Sequence, residues 1–274
     1  MDIQNHIKEY NKNGYVLLHK VFSESFCEEM TNKLSKMEPK VFIPFSNVPW
    51  GYGQLIEVEP FDLVLKNEKI QTYCQKLLGS SDYKINHMMI NNKSGFVGPD
   101  EIWHQEVFNM STYAPGASLL DWKKFIQVFV AVDDHNLENG CLRFLPGSHK
   151  LGKVDCEDVV WNGHGHKRRV TYDAMKDAYE NCGIKNCFMN KGDVLFFNHL
   201  LIHGSSSNPS PKNRRALVIQ AQRNDVPKKD EDVFNKETAY RRNFVISEYE
   251  KKIKALKSSN MYNDFSKAKG EKNK

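Results

Sequence analysis

Ile3, Ile7 and Tyr10 recur at helical spacing, and Gly14 closes that stripe before a short β run, Tyr15-Val16-Leu17-Leu18. Ser23 is placed to cap a second helix whose apolar face is Phe26, Met30 and Leu34. Residues 1–40 therefore read as a helical N-terminal part. Between 41 and 60 the periodicity stops. Three prolines, two glycines and several aromatics make this a loop with large apolar side chains, either a packed surface loop or a pocket wall. From Asp82 onward the pattern changes to short β runs at 83–90, 125–132, 142–145, 193–197 and 214–222, separated by turn signals such as Pro146-Gly147. Residues 172–182 and 237–257 return to helix. Many short strands with turns between them predict a mainly β sandwich or barrel with flanking helices. One domain, 1–274, is the simplest account, with its β core at about 83–223 and a helical, basic tail at about 237–274.

Composition narrows this only slightly. The 274 residues, 40% hydrophobic and 27% charged, are those of an ordinary polar globular chain. No apolar run approaches the ~18 residues of a membrane span, and the N-terminus lacks the pattern of a secretory signal. A cytoplasmic enzyme without membrane attachment is expected. The net charge of +5 is local: eight lysines against three acids between Glu250 and Lys274 account for all of it. Such a run reads as a solvated helix face or tail, so a nucleic-acid partner is not expected. The six cysteines form no CxxC pair and read as reduced thiols. Oligomeric state is left open.

The chemistry lies in Trp103-His104-Gln105-Glu106 and in Leu201-Ile202-His203-Gly204-Ser205, with Arg214 eleven residues after the second histidine. His104 and Glu106 are two apart and would share one face of a strand; His203 would join them from a distant strand. Two histidines and a carboxylate are the ligand set of non-heme Fe(II) oxygenases. An arginine nearby offers a planar fork for the far carboxylate of an organic acid. Arg214 and Arg215 point to opposite faces of a strand, so only one can enter a barrel and the other belongs to a surface salt bridge. His199 rivals His203, and spacing alone does not separate them. His164 and His166 sit in a Gly-rich basic stretch that reads as a solvated loop. The same three ligands would also suit zinc in a hydrolase, but no general base is evident and Arg214 would then have no use.

Five segments in order, HMMINNK (87–93), WHQE (103–106), ENGCLRFLPGSHK (138–150), KGDVLFF (191–197) and HGSSSNPSPKNRRA (203–216), resemble the phytanoyl-CoA dioxygenase family of Fe(II)/2-oxoglutarate-dependent oxygenases. The resemblance implies a double-stranded β-helix, a cupin-like jelly-roll barrel. It implies Fe(II) held by His104, Glu106 and His203, with 2-oxoglutarate as co-substrate and O2 as oxidant. It places Arg214 on the 5-carboxylate of 2-oxoglutarate, Ser205 beside it, and Met89 and Phe129 along the co-substrate pocket. The implied activity is oxidation of an unactivated C–H bond of a small molecule, hydroxylation first, with release of succinate and CO2. The alternative is a catalytically impaired regulatory protein that binds metal and 2-oxoglutarate on the same scaffold. Glu106 stands where the family usually has Asp, and it leaves no vacancy for the chloride a halogenase needs. Trp50, Tyr52, Trp122 and Arg168 are the expected substrate contacts.

Overall fold

The structure is a computed structural model that describes residues 2–42, 49–109, 123–161, 165–226 and 231–258. Helix α1 (Ile3–Asn13) ends where Gly14 takes a φ of 83° and its N–H returns to the Tyr10 carbonyl. Helix α2 (Glu24–Leu34) begins at Ser23, whose hydroxyl accepts from the Phe26 N–H. Two helices follow that the sequence reading did not separate from their surroundings, α3 (Asp62–Leu65) and α4 (Glu68–Leu78). The second is capped by Asn67 and buries Ile70, Tyr73, Cys74 and Leu78.

Thirteen strands are described. They are β1 (Tyr15–Leu18), β2 (Val41–Phe42), β3 (Pro49–Tyr52), β4 (Tyr83–Lys93), β5 (Glu101–His104), β6 (Phe125–Ala131), β7 (Leu142–Phe144), β8 (Cys156–Trp161), β9 (Gly165–Val170), β10 (Lys185–Cys187), β11 (Val194–Phe197), β12 (His203–Ser205) and β13 (Arg214–Arg223). Seven form one sheet in the order β1-β11-β6-β13-β4-β3-β2, four form a second in the order β10-β7-β12-β5, and β8 and β9 pair as a hairpin. This is the jelly-roll barrel. Two further helices are described, α5 (Tyr172–Cys182) and α6 (Glu231–Ser258). Two segments read as loops are partly strand. Within 41–60, β3 extends the large sheet by pairing with β4, and within the basic Gly-rich stretch β9 pairs with β8. Both are short or carry few β-branched residues, so pairing rather than propensity holds them.

Period-two alternation divides the core. Met88, Ile90, Val128, Val130, Leu217 and Ile219 leave the large sheet outward and pack under α1, α2 and α4. Phe129, Ala131, Leu195, Phe197 and Ala216 point the other way, onto Leu142, Phe144 and Cys187 of the small sheet. A third cluster, including Val107, Leu145, Val170, Ala178 and Ile202, backs the small sheet against α5. The inner faces meet closely: the rings of Phe197 and His203, one from each sheet, lie 4.9 Å apart. Among the described residues no helix is long and apolar enough to cross a membrane.

Candidate active site

His104 ends β5 and His203 begins β12, and the antiparallel register of these adjacent strands sets the two residues directly opposite each other. The strand expected to be distant is a neighbour, and the ring centroids are 4.2 Å apart. Each ring is oriented by its own backbone. Nδ1 of His104 lies 2.7 Å from the Ile102 carbonyl, and Nδ1 of His203 lies 2.9 Å from the Leu201 carbonyl. A carbonyl only accepts, so both Nδ1 atoms carry hydrogen, and the Nε2 atoms are the ones turned toward Glu106.

Glu106 reaches them by a route the sequence reading did not foresee. The strand stops at His104, and Glu106 opens a 3₁₀ turn, Glu106–Asn109. Gln105 enforces the break. It is fully buried; its amide donates to the Gly152 and Leu200 carbonyls, and its oxygen accepts from the Val154 N–H. The turn then gives the longer glutamate room, and its Oε1 stands 3.4 Å from His203 Nε2 and 4.0 Å from His104 Nε2. Burial raises the Glu106 carboxyl, but the hydrogen bond from His203 and the charges of His203 and His104 outweigh it and hold the group at about 2.

The three donor atoms lie within 4.8 Å of one another. Two imidazole nitrogens and a carboxylate thus converge on one point. This donor set suits a divalent first-row metal. His199 stays out of the cluster. It is buried beside Phe125, at 5.4 Å between rings; neither ring nitrogen has a hydrogen-bond partner, and burial pushes it down to about 4.

Two basic side chains sit on the inner face of the large sheet. Arg214 and Lys93 are cross-strand partners in β13 and β4, and both are buried. Nε and Nη1 of Arg214 have no protein partner, and its guanidinium lies 5.9 Å from the Phe129 ring centroid. Arg215, on the other face, forms a two-point ion pair with Asp133 at 2.7 and 2.8 Å. The Ser205 hydroxyl accepts from Lys93 Nζ at 2.7 Å. Phe129 and Val218 line the cavity beside the His104, Glu106 and His203 cluster, whereas Arg214, Lys93, Ser205 and Met89 do not; Met89 shares the face of Val218, in register with it.

The cavity measures about 260 Å³, and Asn91, Gln127, Lys167, Arg168 and Arg241 share its rim and walls with His104, Glu106 and His203. The side-chain oxygens of Asn91 and Gln127 have no hydrogen-bond partner. Arg168 lines the cavity, but its guanidinium is engaged by Asp158, Glu237 and the Phe108 carbonyl. Tyr52 is not a pocket wall. It stands opposite Ile90, on the outer face of the sheet, and packs into the helix-side core. The Trp50 side chain and all of Trp122 lie outside the described residues, as does His164. Sequence reasoning missed Lys93, Gln127 and Arg241. Period two from Met89 does put 91 and 93 inward, which was the available signal for Lys93.

A jelly-roll barrel holding two histidines, a carboxylate and a buried arginine defines a non-heme oxygenase scaffold. The sequence model of the phytanoyl-CoA dioxygenase (PhyH) family matches residues 10–216, and the chain belongs to that family of iron- and 2-oxoglutarate-dependent dioxygenases. It is 24% identical to an ectoine dioxygenase of Bordetella bronchiseptica over 232 residues, 78% of this chain and 73% of that protein. Among solved structures, EctD from S. alaskensis with 2-oxoglutarate and 5-hydroxyectoine superposes with a TM-score of 0.66 at 17% identity, covering 81% of this chain and 76% of that one. The carbocyclase SnoK, a non-heme alpha-ketoglutarate-dependent enzyme of nogalamycin biosynthesis, gives 0.63 at 20% identity, covering 82% and 86%.

Proposed function

We propose that this chain hydroxylates an unactivated C–H bond of a small polar metabolite, using Fe(II), 2-oxoglutarate and O2 and releasing succinate and CO2. The observation that carries the reading is the convergence of His104, Glu106 and His203 at one sheet, with a buried arginine on the inner face of the other whose Nε and Nη1 have no protein partner. The three side chains would hold the iron on one face, leaving the cavity side for ligands. Arg214, with Ser205 beside it, would anchor the distal carboxylate of 2-oxoglutarate and so fix its length and direction within the barrel. Iron and 2-oxoglutarate, when bound, supply the oxidising chemistry; the protein supplies position and exclusion of water.

The cavity walls favour a substrate that brings its own hydrogen-bond donors. The unpartnered oxygens of Asn91 and Gln127 call for hydroxyl or N–H groups, while the basic side chains at the rim are paired within the protein, Lys167 with Glu101 and Arg241 with Glu237. The name of the ectoine dioxygenase relative supports a small, polar substrate, and that of the carbocyclase keeps ring closure as the second oxidation outcome. The impaired-protein alternative loses ground because the turn at Glu106 seats the longer carboxylate within reach of both imidazoles. Succinate formation from 2-oxoglutarate, screened over a metabolite panel with Fe(II) and ascorbate, tests the reading, with the product's mass separating hydroxylation from ring closure. No Fe(II)-dependent succinate above a His104→Ala control would refute it.

A further inference from the structure

Lys93 is the cation that the proposed reaction has not yet used. It is fully buried at the end of β4, and register with Arg214 places both side chains on the inner face of the barrel. Its stem runs between two glycines. A Cβ on Gly98 would come within 2.5 Å of Lys93 Cγ, and one on Gly140 within 3.2 Å of Cδ. Its ammonium donates to the Ser205 hydroxyl and to the Ser206 carbonyl. No carboxylate among the described residues hydrogen-bonds Lys93 or Arg214; Asp133 is committed to Arg215. Two basic groups thus share the inner face of the barrel, and the charge of Asp100 partly offsets them at Lys93.

A hydroxyl oxygen that accepts from an ammonium keeps its own hydrogen free. The Ser205 O–H must therefore donate elsewhere. We propose that Lys93 is a positioning residue for the co-substrate: it fixes the Ser205 hydroxyl as a donor to the distal carboxylate and, with Arg214, closes the barrel with a two-cation seat for that group. The inference rests on the reading that a dicarboxylate lies against Arg214. It assigns Lys93 a part in selecting a dicarboxylic over a monocarboxylic 2-oxo acid. Burial next to Arg214 pushes the Lys93 ammonium down to about 6, so an arriving anion finds a group that gains by taking up its proton.

The test is calorimetric and needs no turnover. 2-Oxoglutarate and 2-oxopentanoate, which lacks the distal carboxylate, are titrated into the Mn(II)-loaded wild type, Lys93→Met, Ser205→Ala and the double variant. Lys93→Met should bind 2-oxoglutarate about tenfold or more weakly, as expected for a lost charge-assisted hydrogen bond, and 2-oxopentanoate within about twofold of wild type. The double variant should be no weaker than Lys93→Met alone, because the hydroxyl acts only when the ammonium orients it. Unchanged 2-oxoglutarate affinity in Lys93→Met, an equal loss for both ligands, or multiplying losses in the double variant would overturn the proposal. Lys93→Gln answers the same question should methionine disturb folding. A wild type that does not prefer 2-oxoglutarate would instead remove the dicarboxylate reading beneath it.

Discussion

His104 and His203 stand opposite each other in the β5–β12 register, and each ring is turned by the carbonyl two residues before it in the chain. The backbone of two short strands therefore sets both tautomers before any metal arrives. Replacing either histidine with alanine should lower Fe(II) affinity by more than about a hundredfold, exceeding the usual cost of losing an outer partner. Metal competition measures this. In the wild type, Fe(II) at about a hundred times its Kd should add about 2.7 kcal/mol of stability that a chelator removes and that the alanine variants lack.

Glu106 reaches the imidazoles from a 3₁₀ turn, not from the strand. Shortening it to aspartate would draw the carboxylate back by about one C–C bond, ~1.5 Å, from a position where Oε1 stands 3.4 Å from His203 Nε2. Glu106→Asp should therefore weaken metal binding despite bringing the residue the family usually has, and Glu106→Ala should weaken it further. Metal affinities of the three forms settle the order. An aspartate variant that binds iron better than wild type would show that the turn does not fit glutamate.

Much of this was legible in the chain. His104 and Glu106 stood out by spacing, Arg214 was singled out over Arg215 by the family resemblance, and of the strands carrying His104, His203 and Arg214 only the last was read from its β-rich texture. What was not legible depended on pairing. Gln105 looks like an ordinary polar residue until the loops it ties, through Gly152, Val154 and Leu200, are in place. Tyr52 was misplaced because the face of a strand is set by its register, and β3 had no period of its own to reveal it. His199 and His203 lie in one run and differ only in where the chain turns. Arg241 approaches the cavity from a helix far along the sequence, which local pattern does not report.

Arg214 and Arg215 are adjacent in sequence and opposite in task. Arg214→Ala should raise the Kd for 2-oxoglutarate about tenfold or more, with metal affinity unchanged. Arg215→Ala breaks the two-point contact with Asp133, which is partly open to solvent. Its cost should be about 1 kcal/mol or less of stability, with 2-oxoglutarate binding intact. Equilibrium unfolding and calorimetry on both variants separate the two tasks. Equal loss of co-substrate binding would mean that Arg214 is not the anchor.

Lys93 should also make the ligand-free protein sensitive to pH. Its ammonium titrates at 10.5 when unfolded and at about 6 when buried beside Arg214, so between those values the unfolded chain binds the extra proton. Unfolding free energy then rises with pH over that window, by up to about 1.4 kcal/mol per unit for one proton, and the contribution vanishes below about 6 where both states are charged. Arg214, Lys167 and Arg143 act on Lys93 in this direction and Asp100 opposes them. Lys167, itself pushed down to about 7 by burial, adds a slope of the same sign. Lys93→Met, which leaves Lys167 in place, isolates the term: its stability should exceed that of wild type near pH 7 and depend less steeply on pH. Saturating 2-oxoglutarate should flatten the wild-type slope in the same way, because the bound dianion restores the proton to Lys93 in the folded state. Urea midpoints at pH 6.5 and 8.5 are sufficient to measure this. Parallel slopes for wild type and Lys93→Met would mean that the Lys93 ammonium keeps its charge inside the barrel.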